Sequence, residues 1–166
     1  MIYENEKAKN VSFPIGGIGS GCVSLLGNGE ISDFEVFGRP NKNTLNGYTS
    51  FAVKASYEGE SVAKILHGDT NESYMGAHTE LHHVGFGFGP RLYSMAGFPH
   101  FRHVCFDGQF PVAHLTFEDA HFPGRVTLHA FNPFIPHDDE NSSLPAAFFL
   151  LEIENTWDKE IDTAFA

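Results

Sequence analysis

An antiparallel β-sandwich, two packed sheets joined by long irregular loops, is the all-β fold that this sequence predicts. Three observations point to it. Short runs of alternating apolar and polar residues recur along the chain. In residues 125–132 (RVTLHAFN), Val126, Leu128 and Ala130 face one way, Thr127 and His129 the other. Gly, Pro, Asn and Asp separate these runs at short intervals. Phenylalanine is abundant, 17 residues against one tryptophan, and suits sheets packed face to face. No segment carries a sustained helical period.

The first element is glycine-rich. Residues 13–40 read FPIGGIGSGCVSLLGNGEISDFEVFGRP, with Gly16, Gly17, Gly19 and Gly21 following Pro14. A phosphate loop needs a lysine and a hydroxyl residue after its last glycine, but Gly21 is followed by Cys22, Val23 and Ser24. A dinucleotide fingerprint needs its third glycine one position later and a helix after it. Here two β-type runs follow, with Asn28-Gly29 between them. That pair predicts a hairpin on a type I′ turn. The glycines are therefore expected to let the backbone bend and approach closely.

Later elements follow the same logic. Residues 48–57 and 61–67 read as strands around a turn at Glu58-Gly59-Glu60. Residues 69–97, rich in Gly, His and Tyr, read as a long connection. Residues 101–106 and 110–118 read as a hairpin turning at Asp107-Gly108. Residues 132–145 (NPFIPHDDENSSLP), with three prolines and three consecutive acids, read as a rigid exposed loop. Residues 147–155 place Phe149, Leu151 and Ile153 on one face and Glu152 and Glu154 on the other, and residues 161–166 begin a further strand.

Bulk properties narrow the function. The 166 residues suffice for one domain with a core. A formal charge of −11 argues against nucleic-acid phosphates and anionic membranes as partners. No run is apolar enough to cross a bilayer as a helix, no basic-then-apolar leader is visible, and a cytoplasmic location is expected. Cys22 and Cys105, without CxxC partners, read as buried thiols in strands. His78, His82, His83, His100 and His103 match no zinc pattern, and no His-x-His supports a metal β-barrel of the cupin type. No cofactor is expected.

Several ordered segments resemble one family. FPIGGIGSG and NGEISDFEVFGRPNK are followed by GFPHF, FPVA, FPGRV, AFNPFIP, SSLPA and ENT. This series, collinear over about residues 12–166, resembles the start of the family 116 glycoside hydrolases, which include β-glucosidases and the bile-acid-type glucosylceramidase. The resemblance implies that residues 1–166 are a single, truncated N-terminal β-sandwich domain. A helical (α/α)6 catalytic domain is expected downstream and would be the chief partner, hydrolysing the carbohydrate substrate.

The family's catalytic carboxylates lie in that helical domain, so the resemblance implies no catalytic residue here. A retaining glycosidase needs two carboxyl groups about 5 Å apart across the sugar, which neighbours in sequence such as Asp138, Asp139 and Glu140 do not provide. Calcium is a lesser reading of that acidic loop, at a spacing that fits no standard calcium loop. Arg39, Asn41 and Lys42, at the exit of an apolar strand, and His137, Asp138 and Asp139 in the acidic loop are instead candidate contacts with the catalytic domain or the sugar-site rim. Self-association is expected where that domain is missing, through an exposed apolar surface and an open sheet edge. The alternative is a stand-alone carbohydrate-binding or interaction module, which would present exposed aromatic rings.

Overall fold

The computed structural model describes residues 1–42, 44–69 and 94–166. The predicted long connection over residues 69–97 falls largely outside them, with His78, His82 and His83. Eleven strands are present among the described residues: β1 (Ile2–Glu4), β2 (Ser12–Ile15), β3 (Cys22–Leu26), β4 (Ile31–Glu35), β5 (Ala52–Tyr57), β6 (Glu60–Ile65), β7 (His103–Gln109), β8 (Val112–Glu118), β9 (Arg125–Phe131), β10 (Phe148–Glu154) and β11 (Asp162–Phe165). A 3₁₀ helix at Asn5–Asn10 and one helical turn, α1 (Asp139–Ser142), complete them.

The strands form an antiparallel β-sandwich. A five-stranded sheet, β1-β7-β8-β9-β10, makes one layer, and two three-stranded sheets, β2-β3-β4 and β11-β5-β6, cover its inner face. Phe13 of β2 meets Phe106 of β7 at 6.3 Å between ring centroids, and Phe51 before β5 meets Phe149 of β10 at 5.0 Å. Each small sheet thus covers one half of the large one. Alternation sets which side chains go inside. Phe106 on β7, Leu115 and Phe117 on β8, and Val126 and Leu128 on β9 are all buried with Ile15, Leu25, Val53 and Ala55 in one core.

Two turns differ from expectation. Asn28-Gly29 does close the β3–β4 hairpin, but through a three-residue loop. The Gly29 amide donates to Leu26 O at 2.9 Å and the Leu26 amide to Glu30 O at 2.8 Å, and of the pair only Gly29 has positive φ, +94°. Asn28 is buried and uses its side-chain oxygen to accept the Glu30 amide, so it keeps an ordinary backbone. Asp107-Gly108, read as a turn, lies inside β7, and the chain reverses at Phe110-Pro111, whose peptide is cis. A Cβ at Gly108 would stand 2.5 Å from the Phe106 ring, so the glycine marks a packing constraint and not a turn. The type I′ signature, two successive positive φ angles, occurs instead at Glu58-Gly59 between β5 and β6.

His67, just after β6, is fully buried, and its Nε2 has no hydrogen-bond partner among the described residues. Burial, with a smaller contribution from His100, pushes its pKa down to about 4. The folded chain therefore refuses a proton that the unfolded chain accepts below the ordinary value of 6.5. Stability is full above that value and falls as the pH drops towards 4, by roughly 3 kcal/mol for this group. Urea titrations at about pH 7 and about pH 4.5 are expected to show this loss, and His67→Leu to remove most of it. An equal loss in parent and variant would place the acid sensitivity elsewhere.

Candidate functional site

The glycine run connects β2 to β3 and is the point where three parts of the chain meet. On one side it lies against the segment between β9 and β10. The Gly16 amide donates to the Asn132 side-chain oxygen at 2.7 Å, the Asn132 amide group donates to Pro14 O at 3.2 Å, and the Ile18 amide donates to Ser142 O at 2.8 Å. A Cβ at Gly17 would come within 2.2 Å of Leu144 O. On the other side, a Cβ at Gly21 would come within 2.8 Å of Glu35 O at the end of β4. Side chains are excluded at Gly16, Gly17 and Gly21, whereas Gly19 has open space and is favoured by its positive φ, +71°.

The two groups of residues singled out in the sequence therefore lie on opposite flanks of one glycine bridge. At the exit of β4 the chain turns through Phe37 and Gly38, both at positive φ, and the Arg39 amide donates to Val36 O at 3.2 Å. Arg39 is exposed. Asn41 turns back: its side chain donates to Phe34 O at 3.2 Å and its amide reaches Glu35 Oε1 at 3.4 Å. Lys42 also turns back, with Nζ at 2.6 Å from Glu35 Oε2 and 3.7 Å from Asp33 Oδ2. This ammonium holds the Glu35 carboxyl below the usual carboxylate range, so Glu35 is poorly suited to give up a proton as a general acid.

The acidic segment is less open than its composition suggests. Asp138 caps α1: one carboxylate oxygen accepts the Asn141 amide at 3.0 Å and the other the Asn141 side chain at 2.6 Å. The Asn141 backbone N–H, then its side chain, keep the Asp138 carboxyl below its usual range. Asp139 and Glu140 form the first turn of α1. His137 precedes the cap with positive φ, +65°. Ser142 is buried, and its hydroxyl both accepts the Ile135 amide at 2.9 Å and donates to Ile135 O at 3.0 Å. The loop is a strap fastened from within. Among the described residues no group of three His, Cys, Asp or Glu side chains is placed to hold a metal ion, by this loop or elsewhere.

Sequence reasoning missed the apolar residues around this bridge. A cleft of about 270 Å³ is lined by Ile15, Cys22, Val23, Val36, Phe37 and Pro145, among others. At its margin Phe37 is 92% exposed, and Ile18, Val36 and Leu144 are exposed around the glycine bridge. Positive φ in a bulky aromatic residue is a rare conformation, and it turns this ring outward from the end of a buried strand. The signal in the sequence was Phe37-Gly38 directly after an alternating strand, which read as a continuation of that strand.

Phe110, Phe131 and Phe134, three of the other exposed aromatics, are paired, as is the half-buried Trp157. Phe131 and Phe148 stack on each other at 5.1 Å with 9° between their planes, Phe110 meets Phe134 edge-on at 5.2 Å, and Trp157 meets Tyr57 at 5.0 Å. Cys22 and Cys105 are half-buried free thiols, not fully buried ones, and burial raises the pKa of each. No described helix is long and apolar enough to cross a membrane. A family model described as "beta-glucosidase 2, glycosyl-hydrolase family 116 N-term" matches residues 12–166.

Proposed function

Because the chain belongs to the N-terminal domain family of glycosyl-hydrolase family 116, we propose that it is the non-catalytic sandwich of a β-glucosidase or glucosylceramidase-like hydrolase. In this reading it packs against, and supports, a helical domain that hydrolyses β-glucosides. The observation that carries the reading is Phe37, a ring 92% exposed at an apolar cleft that it lines with Ile15, Val23 and Val36. An aromatic anchor at the edge of a small apolar pocket is the pattern by which protein surfaces hold one another. Arg39 beside it supplies a polar rim.

The carboxylates nearby support a non-catalytic role. Both Asp138 oxygens are taken by Asn141, and Asp33 and Glu35 share the Lys42 ammonium. A glycosidase acid needs a raised pKa, the opposite of what Glu35 and Asp138 have. A sugar-binding module is less well supported, since Trp157, Phe131 and Phe148 each use a ring contact on a neighbour.

The test uses the 166-residue chain and the reading frame that continues from it. The chain alone is expected to leave a nitrophenyl β-glucoside intact, and the downstream frame to encode a long helix-rich domain. In the full-length protein, Phe37→Asp is expected to release the two domains into separate thermal transitions and to lower glucosidase activity. Turnover by the chain alone that Asp138→Ala abolishes, or a stop codon in place of the helical domain, would overturn the proposal.

A further inference from the structure

The outer face of the five-stranded sheet carries a histidine pair that the domain-packing role does not use. His114 on β8 and His129 on β9 are register partners. Their Nδ1 atoms face each other at 2.6 Å, with the rings edge to face at 82°. Two imidazole lone pairs meet head to head only if something positive lies between them, either a hydrogen on one nitrogen or a bound cation. Behind the pair, on β10, Glu152 Oε2 lies 3.2 Å from His129 Nε2. A hydrogen on that Nε2 satisfies the carboxylate and leaves the Nδ1 lone pair of His129 aimed at His114. A carboxylate fixing the far nitrogen of a histidine is the arrangement that orients metal-bound imidazoles.

We propose that His114 and His129 chelate a divalent transition-metal ion of the copper, nickel or zinc class through their two Nδ1 atoms. Glu152 orients His129, and water completes the coordination. Imidazole nitrogens favour these ions over magnesium or calcium. Metal–nitrogen bonds of about 2.0–2.1 Å meeting near a right angle would set the two Nδ1 atoms roughly 3 Å apart, which asks the rings to part slightly and tilt so that both lone pairs converge on the ion. His114 is exposed and its strand fixes only the backbone, so the rings can part without disturbing the core. Asp107, the next residue across the same row, is tied to the Met1 amine at 2.9 Å and is not assigned as a ligand.

Isothermal titration of the chain with nickel or zinc chloride, prepared without a polyhistidine tag, tests the site. One saturable ion per chain is expected, with magnesium giving no such signal. His114→Ala and His129→Ala should each weaken binding at least about tenfold, and Glu152→Gln about tenfold. Asp107→Asn should leave it unchanged. Circular dichroism of each variant checks that the sheet is intact, with His114→Gln as a second variant if His114→Ala misfolds. Absence of a saturable site, or binding that survives both histidine substitutions, overturns the proposal. So does an equal weakening by Asp107→Asn, which would indicate attraction to the acidic surface at large.

Discussion

Gly29→Ala is expected to lower the stability of the chain by about 4 kcal/mol and its melting temperature by roughly 10 °C. Two costs combine at this one position. Gly29 has φ +94°, where an L side chain is strained by about 1–3 kcal/mol. A Cβ there would also stand 2.2 Å from Leu66 O and 2.9 Å from the Phe117 ring. Neither neighbour can easily withdraw. Phe117 is fully buried and packed against Phe101 at 5.7 Å, and the Leu66 amide is tied to Phe51 O at 2.8 Å. Crowding of this kind costs about 1–3 kcal/mol.

Gly59→Ala is the internal comparison. It shares a positive φ, +86°, but a Cβ there meets nothing within 4 Å. Its cost is expected to be the backbone strain alone, about 1 kcal/mol. Guanidinium titrations of the two variants measure the difference. If Gly29→Ala were no worse than Gly59→Ala, Leu66 and Phe117 would not be held beside Gly29 as firmly as their contacts imply.

Gly29 and Gly108 also explain why some of the fold was legible in the sequence and some was not. A hairpin at Asn28-Gly29 follows from turn chemistry, which is local. The loop length does not, because Asn28 keeps an ordinary backbone where it is buried and held by Asp69 O, 41 residues away. Asp107-Gly108 misled for the same reason. Its glycine makes room for the Phe106 ring within a strand, and a one-dimensional reading cannot separate a glycine that turns from one that makes space. Strands β9 and β10 were readable residue by residue, because alternation reports burial directly.

The candidate site was legible as two places and not as one. Arg39, Asn41 and Lys42 stood out by charge, and His137, Asp138 and Asp139 by composition. Their arrangement on two flanks of the glycine bridge depends on hydrogen bonds spanning more than a hundred residues, such as Gly16 to Asn132. Half of the six candidates turned back to local partners: Asn41 to Phe34, Lys42 to Glu35 and Asp138 to Asn141. Arg39, His137 and Asp139 still face outward, but the most exposed large hydrophobic side chain is Phe37. A polar residue attracts notice in a sequence, whereas an apolar one at a strand end reads as core until the backbone turns it out.

The second large effect is expected at a buried ion pair that ties β6 to the end of β8. Lys64 Nζ lies 3.0 Å from Asp119 Oδ2, with side-chain exposures of only 10% and 1%. The same ammonium donates to His100 O at 2.7 Å and sits 5.5 Å from the centre of the Phe101 ring. Asp119 also accepts the His121 amide at 2.8 Å and the Arg102 amide at 3.2 Å. Burial alone would raise the Asp119 pKa. The His121 N–H, the Lys64 ammonium and the Arg102 N–H together outweigh it and leave the carboxyl below its ordinary 3.8. The stability this group supplies is present above that ordinary value and is lost as the pH falls through the lower folded value.

Asp119→Ala removes the charge but leaves Lys64 buried, with only a carbonyl and a ring for company. A loss of about 3–5 kcal/mol is expected, because an uncompensated buried charge costs more than the intact pair contributes. The double variant Lys64→Met, Asp119→Ala separates the two causes. It keeps an unbranched chain against Phe101 while removing the orphaned ammonium, so it should recover much of the loss. Both are read from urea midpoints at neutral pH. If the double variant were as unstable as Asp119→Ala, the cost would lie in the unfilled acceptor positions beside the His121 and Arg102 amides. Asp119→Asn, which keeps an oxygen acceptor there, would then be the milder change.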